Sequence, residues 1–319
     1  MLRLRDRRPA APTVALACLA TVVANTAIIV SGGAVRLTDS GLGCPTWPRC
    51  TEDSLVPTGQ IGVHGAVEFG NRLLTFAVSA VIVAAIVVTM RQRPRRPALT
   101  GLAWALLAGV AAQAVLGGVT VLTGLNPYTV MGHFLVSMAL VATSVLLYER
   151  SGEGDGRPVP LVRDEIRWLG RALVAVVATV VVAGTIVTGS GPHAGDARAE
   201  RFGFDPATVS WFHADLVFLL LGLVAAMIIG LRLTDGPESA RRRAWELLAL
   251  VLAQGTIGYT QYFTDLPIVL VGLHMLGAAL VWIAVVRLAL ALRTRGPAAP
   301  ARQPKTSAST ATVTNNSAR

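Results

Sequence analysis

Four of the five histidines in this 319-residue chain lie near one end of a long apolar segment, at matched depth. They are His64, His133, His213 and His274. A single histidine there would more often anchor a helix at the interface, but ionisable groups inside a membrane are costly, and four of them indicate function. Two imidazoles that face each other across a four-helix bundle suit the axial positions of a haem iron. Zinc would prefer tetrahedral sites with more cysteine or carboxylate ligands, so the pattern predicts haem binding.

Glu68 is a carboxylate inside the same apolar region. It follows His64 by four residues, and therefore lies one turn further along the same helix face. Arg72 follows after one more turn, so a buried ion pair between Glu68 and Arg72 is one interpretation. The other interpretation is that the carboxylate accepts protons or positions water beside a haem edge. Both remain open at the level of sequence.

The segments that carry these residues are long enough to cross a membrane. The composition is 53% hydrophobic and only 14% charged, far from the average of soluble proteins. Eight apolar runs, each of about 19 residues or more, match the ~30 Å thickness of a hydrocarbon core. They are Thr13–Val35, Val63–Met90, Leu102–Thr123, Thr129–Leu147, Trp168–Gly189, Val209–Leu231, Ala244–Phe263 and Ile268–Leu292. We therefore predict an all-α integral membrane protein with eight transmembrane helices.

The distribution of basic residues predicts the orientation of these helices. Of the 28 Lys and Arg residues, 21 lie at one face, three lie inside the runs, and four lie at the other face: Arg36, Arg49, Arg198 and Arg201. Because basic residues concentrate on the cytoplasmic side, both termini are expected in the cytoplasm and the four histidines near the outer face of the plasma membrane. The net charge of +10 is then a topology signal, and we expect no nucleic-acid partner.

An internal repeat divides the chain into two halves. The Gln-to-His spacing is 20 residues in both copies, which are Ala112-Gln113, Gly117, Thr123, His133 and Ala253-Gln254, Gly258, Thr264, His274. The repeat predicts two pseudo-symmetric four-helix bundles with the same in/out topology, formed by residues 1–150 and 160–295. Residues 296–319 are rich in Pro, Ala, Ser, Thr and Asn and are expected to form a disordered cytoplasmic tail.

Two cysteines, Cys44 and Cys50, lie in the first outer loop. This side of the membrane is oxidising, so a disulfide between them would persist. A structural staple over the site is the favoured interpretation, and a thiol redox role is the alternative. Cys18, within the first helix, is interpreted as a packing residue. A Cys-x-x-Cys-His motif is absent from the sequence, which excludes covalent c-type haem attachment.

Several stretches of the sequence resemble the haem A synthase family. The first outer-loop motif is the most specific of them, whereas a helix with one histidine is common to many proteins. The stretches are residues 32–45 (GGAVRLTDSGLGCP) with Trp47-Pro48 and Cys50, residues 68–72 (EFGNR), residues 213–216 (HADL) and residues 273–277 (LHMLG). Together they span nearly the whole chain.

The resemblance implies an enzyme that oxidises a methyl group of haem O to a formyl group, which gives haem A for cytochrome oxidase. It implies a haem b cofactor between His213 and His274 in the C-terminal half, and haem O as the substrate in the N-terminal half. Membrane lipid surrounds such a protein, and a haem O synthase and an electron donor are the expected partners.

The resemblance also assigns roles to polar residues of the first half. Glu68 would handle protons or place water beside the substrate, and the Cys44–Cys50 loop would close the site. Haem propionates need cations, and Arg36 and Arg72 are the candidates.

The sequence departs from the family at one ligand position. The family commonly places a histidine three residues after the glutamate, and this chain has Asn71 there. Asparagine is a poor iron ligand. His64 lies seven residues earlier, two turns away on the same face, so His64 and His133 are expected to be the axial pair of the substrate haem.

Two other classes of protein fit the sequence less well. A dihaem b-type electron carrier would spread its haems across both membrane faces, whereas all four histidines here lie on one side. A transporter would usually contain inverted repeats, whereas this repeat is parallel.

Overall fold

The computed structural model describes residues 9–57 and 62–296, which form eight α-helices and two very short strands. The helices are α1 (Ala11–Leu37), α2 (Gly62–Arg91), α3 (Pro97–Leu122), α4 (Pro127–Ser151), α5 (Asp164–Ser190), α6 (Pro206–Leu233), α7 (Glu238–Phe263) and α8 (Ile268–Ala291). The strands β1 (Val159–Pro160) and β2 (Arg293–Thr294) pair antiparallel. The predicted all-α architecture is confirmed, and the expected tail lies, from residue 297 onward, outside the described residues.

Helices α1 to α4 pack in one ring and α5 to α8 pack in a second. The rings meet through α1, α4, α5 and α8. A buried apolar cluster that includes Val22, Met138, Val141 and Ala279 fills this contact. The indole nitrogen of Trp282 also donates to the Met138 carbonyl at 2.9 Å, so a polar contact joins α8 to α4.

Seven of the helices in the described part of the chain are long and apolar enough to cross a membrane. The eighth expected span, Ala244–Phe263, corresponds to α7, which falls outside this group. Charged residues occupy the first turns of α7, and glutamines, threonines and tyrosines occupy its second half. The helix is nevertheless 26 residues long and packs against α6 and α8. Its polar groups are accommodated because it lines a cavity inside the second ring.

At the end of the bundle opposite the histidines, a charged cluster joins the two halves. The Glu149 carboxylate of α4 accepts from Arg243 of α7 at 2.8 Å and from Arg287 of α8 at 2.7 Å. The Glu149 side chain is only 14% exposed. Removing one partner of a buried pair costs about 3–5 kcal/mol because the other charge is left unpaired, so loss of Glu149 alone should weaken the contact between the halves.

The loops at the histidine end are tied to one another. Cys44 and Cys50 form a disulfide, as predicted. The α5–α6 loop contacts the α7–α8 turn where His193 Nε2 lies 3.0 Å from the Leu266 carbonyl. The Gly41 amide of the first outer loop also donates to the Gly195 carbonyl of the α5–α6 loop at 2.9 Å, so the described parts of these loops contact one another across both rings.

Candidate haem-binding cavity

A single cavity of about 1300 Å³ runs through both rings near the loop-covered end. It is larger than the about 300–1,000 Å³ of an ordinary small-molecule site. Three of the four predicted histidines line it: His133 from the first half, and His213 and His274 from the second. Most of the remaining wall is aliphatic or aromatic, as a porphyrin requires.

His213 and His274 form a pair across the second ring. Their ring centroids are 6.4 Å apart and the ring planes are inclined by 65°. Bonds from a metal ion to imidazole nitrogen are about 2.0–2.1 Å long. Two such bonds in line, together with the distance from each nitrogen to its ring centre, match this separation. The pair therefore fits a haem iron between the two rings.

Glycines on the neighbouring helices fix the histidine rings. A Cβ placed on Gly184 would lie 3.2 Å from Cε1 of His213, and one on Gly258 would lie 3.2 Å from Cε1 of His274. Gly117 has the same relation to His133. Contacts this short are tighter than those that real Cβ atoms usually make. Glycine therefore lets each ring lie close against the adjacent helix, whereas any other residue would require the ring to shift by a few tenths of an ångström.

The repeated glutamines hold the backbone beside two of the histidines. Gln113 Nε2 donates to the His133 carbonyl at 2.9 Å, and Gln254 Nε2 donates to the His274 carbonyl at 2.9 Å. The Nδ1 atoms of His133, His213 and His274 are buried and have no hydrogen-bond partner within the described residues. The helix positions of His133 and His274 are thus set by the same contact in each half.

The start of α6 positions His213 by a capping interaction. The Asp205 carboxylate accepts from the Thr208 amide at 2.8 Å and from the Thr208 hydroxyl at 2.7 Å. These two hydrogen bonds favour the charged form and hold the pKa of Asp205 below its ordinary value. A negative charge at a helix N-terminus is also favoured by the helix dipole, so the first turns of α6 are well fixed.

The expected pairing of His64 with His133 is not formed. His64 is exposed and does not line the cavity. Its Nδ1 lies 3.0 Å from Ser40 Oγ, and Gly43 packs directly against its backbone. The first outer loop therefore holds the His64 ring at the end of the bundle, about two turns away from Asn71 along α2.

Asn71 occupies the cavity wall of the first half instead. It lines the cavity together with Gly32, which follows Ser31 on α1. Ser31 Oγ donates to Asn71 Oδ1 at 2.7 Å. This hydrogen bond ties the polar end of Asn71 to α1, one residue before Gly32.

Glu68 and Arg72 form the ion pair that was one of the two interpretations from sequence. Arg72 Nη2 lies 2.6 Å from Glu68 Oε1, and the other carboxylate oxygen accepts from the Cys44 amide at 2.6 Å. Arg72 also donates to the carbonyls of Cys44, Thr46 and Arg49. Glu68 is 5% exposed, yet both residues line the cavity. The pair therefore anchors the disulfide loop and faces the cavity, so the two interpretations are compatible.

Two further contacts complete the cavity at its outer end. Trp47 of the disulfide loop packs against Gly118 of α3, where a Cβ would clash with the indole. Arg36, at the end of α1, donates to the Thr188 carbonyl at 2.7 Å and to the His193 carbonyl. The Arg36 side chain thus bridges the two halves at the cavity wall.

The glycine contacts were not foreseen as part of the site, although a signal for them exists in the sequence. Gly117 and Gly258 belong to the repeat signature, at the same spacing before His133 and His274. The conformational reason for their presence becomes visible only when the adjacent helix is known. Ser31 belongs to a weaker repeat signal, Ile29-Val30-Ser31-Gly32 against Ile186-Val187-Thr188-Gly189, which did not indicate its contact with Asn71.

Comparison with known protein families finds a match over most of the chain. Residues 15–66 and 60–286 match the sequence profile of the COX15-CtaA family, described as "Cytochrome oxidase assembly protein". The matched segments include the disulfide loop and all three histidines of the cavity.

Individual relatives carry a more specific name. The chain is 30% identical to a "Heme A synthase" of Lysinibacillus sphaericus over 174 residues, which cover 53% of this chain and 56% of that protein. It is 34% identical to a "Heme A synthase" of Geobacillus kaustophilus over 122 residues, which cover 38% of this chain and 37% of that protein. It is 30% identical to one of Shewanella oneidensis over 184 residues, covering 53% of each. The aligned part thus spans about half or less of each relative.

Proposed function

The chain belongs to the COX15-CtaA family of cytochrome oxidase assembly proteins, and on that premise we propose that it is a haem A synthase, an oxidoreductase that acts on haem O. The observation that carries the proposal is the paired His213 and His274, which face each other in a cavity that continues to His133 and Glu68 in the other half. One half can therefore hold a permanent cofactor while the other receives a substrate of the same shape.

His213 and His274 would hold a haem b cofactor in the second half. When bound, that haem supplies the redox-active iron through which electrons reach the substrate side. The role of the protein is to orient and insulate. Gly184 and Gly258 keep the rings in place, and the apolar wall excludes water.

The first half would receive haem O with His133 as a ligand. Oxidation of its methyl group to a formyl group by successive hydroxylations requires an oxidant such as O₂ as co-substrate, electrons from the donor, and proton transfers close to the porphyrin edge. Glu68 is the carboxylate on the cavity wall of this half, and it can accept protons or hold water there. Its bonds to Arg72 and to the Cys44 amide fix its position.

Cations near the outer end would meet the propionates. Arg36 uses Nε and Nη2 on two carbonyls, which leaves Nη1 without a hydrogen-bond partner among the described residues. Arg72 is already engaged by Glu68 and three carbonyls. We therefore assign Arg36 to propionate binding, and Arg72 to holding the disulfide loop closed over the substrate.

A dihaem b-type electron carrier is a weaker proposal. Such a protein would place haem ligands near both membrane faces. The three histidines in the cavity all lie near the same end of the bundle, close to the disulfide loop. A haem pair at one face would leave most of the membrane thickness without a redox centre.

Pigment analysis tests the proposed reaction directly. The chain should be expressed in a bacterium that makes haem O but lacks its own haem A-forming enzyme. We expect extracted pigments to contain haem A, identified by chromatography and by its formyl absorption. Extracts that contain haem O and haem b, with the protein present in the membrane but without haem A, would refute the activity.

This multi-pass membrane protein is proposed to reside in the plasma membrane with both termini in the cytoplasm, because 21 of the 28 basic residues lie on one side. A reporter enzyme active only outside the cytoplasm should be silent when fused after residue 319 and active when inserted in the loop that contains Cys44. The opposite pattern would invert the topology. A haem O synthase and a membrane electron donor are the partners proposed for this orientation.

The glycine contacts predict a second measurable effect. Gly184→Ala or Gly258→Ala should press a methyl group against a histidine ring and lower haem b retention by about tenfold, the lower range for disturbing groups that orient a metal ligand. Gly32→Ala is the matched control, because a Cβ there would meet no atom within 4 Å. Haem content per protein after purification measures the effect. Equal losses in all three variants would mean that glycine serves only helix packing.

A further inference from the structure

All four odd-numbered helices carry a glycine near the end that faces the loops. Gly32, Gly117, Gly184 and Gly258 each lie five or six residues before the last residue of their helix. At Gly117, Gly184 and Gly258, a Cβ atom would lie 3.2 Å from Cε1 of a histidine on the following helix. The structure thus contains three places where an imidazole lies against a glycine of the preceding helix, one in the first half and two in the second.

The glycine of α1, Gly32, has no imidazole beside it. A Cβ on Gly32 would have no neighbour within 4 Å, in contrast to the other three glycines. The residue of α2 that reaches this level is Asn71, which is hydrogen-bonded to Ser31, the residue before Gly32. His64 lies outside the cavity at the end of the bundle. Within the described residues, the cavity of the first half therefore offers one imidazole, that of His133.

We infer that the first half binds a haem through His133 alone, and that the opposite face of this haem is open to a small exogenous ligand beside Asn71. The inference rests on the proposed function, because it concerns the haem of the substrate site. The second half differs, since His213 and His274 occupy both faces of its haem. The two haems should therefore differ in coordination and in ligand binding.

Asn71 is suited to the open face for a chemical reason. Its Oδ1 lies 2.7 Å from Ser31 Oγ, its amide NH₂ group has no hydrogen-bond partner among the described residues, and the residue lines the cavity. An amide is a poor iron ligand but a good hydrogen-bond donor. Donors beside an open haem face stabilise ligands whose outer atom can accept a hydrogen bond. The chemical class of ligand is thus a diatomic or another small neutral molecule.

Carbon monoxide is the probe. Full-length protein in detergent is saturated with haem b, its haem stoichiometry is measured, and carbon monoxide is added after reduction. In the unmodified protein we expect two haems, with carbon monoxide bound to about half of the total, because an iron with two histidine ligands has no free position. Asn71→His should abolish carbon monoxide binding and turn the high-spin spectrum low-spin at unchanged haem content. In Asn71→Ala, about half of the total haem should still bind carbon monoxide.

Further variants make the outcome decisive even if Asn71→His folds poorly. His133→Ala should lose the carbon monoxide-reactive haem and retain the other, whereas His64→Ala should change neither. Two bound haems that are both low-spin and inert to carbon monoxide would overturn this inference while leaving the proposed function intact. Reactivity gained on His64→Ala would identify His64 as the second ligand. Uptake of only one haem at saturation would overturn the proposed substrate site and this inference together.

Discussion

Replacing His213 or His274 by alanine is expected to strip the second half of its haem. The two rings stand 6.4 Å apart across the cavity, which fits one iron between them. Loss of either ring leaves a single protein bond to the iron in an apolar cavity. Removing even outer partners of a metal ligand lowers metal affinity by about 10–100-fold, so haem b content per purified protein should fall by about tenfold or more. Haem extraction and the reduced spectrum measure the loss.

His193→Ala is the matched control for these variants. His193 also belongs to the loop-covered end of the second half, but its ring contacts the Leu266 carbonyl and lies in the α5–α6 loop. This variant should keep the low-spin haem b spectrum. If both His213→Ala and His274→Ala also kept it, the assignment of the pair as ligands would be wrong. If all three lost haem equally, the loss would reflect disruption of this end of the fold.

The helices could be predicted from sequence because the membrane imposes one rule on every residue within it. Backbone groups must be paired inside each segment, so eight apolar runs had to become helices. Most observed helices begin or end a few residues beyond the predicted bounds, whereas α3 and α8 end one residue earlier than predicted. The exception, α7, shows the limit of hydropathy. Its Gln254 faces the cavity and donates to the His274 carbonyl, a role that average hydropathy cannot express.

The second half of the site was more predictable than the first. His213 and His274 are separated from the membrane end by similar lengths of helix, so matched depth in the repeat indicated a pair. In the first half, helical periodicity placed His64 and Asn71 on the same face of α2 but could not determine which of them reaches the cavity. The outer loop decides this, because Ser40 and Gly43 hold the start of α2 and its His64 at the end of the bundle. Loop packing of this kind has no periodic signal.

Sequence alone also left two roles for Glu68, and one variant separates them. Glu68→Gln preserves the size of the side chain and removes its charge and most of its capacity to accept a proton. General acid–base groups contribute about 10²–10⁴-fold to a rate, so formation of haem A per folded protein should fall by about that factor. Haem b in the second half should remain, because that half has its own ligands. Haem O or a hydroxylated intermediate should accumulate, which chromatography of extracted pigments would show.

Loss of the ion pair is a separate effect, and Glu149→Gln provides its control. Glu68 is buried and Glu149 is 14% exposed, and both are bound to arginine, but Glu149 contacts Arg243 and Arg287 at the other end of the bundle, away from the cavity. Removing one partner of a buried pair costs about 3–5 kcal/mol, so both variants should lower the melting temperature and the yield. The cost for Glu68→Gln should be the smaller, because Arg72 keeps three backbone carbonyls as acceptors. If Glu68 serves the chemistry, only Glu68→Gln should lose haem A formation once activity is normalised to folded, haem b-containing protein. If the two variants had equal normalised activity, the role of Glu68 would be limited to holding the disulfide loop in place.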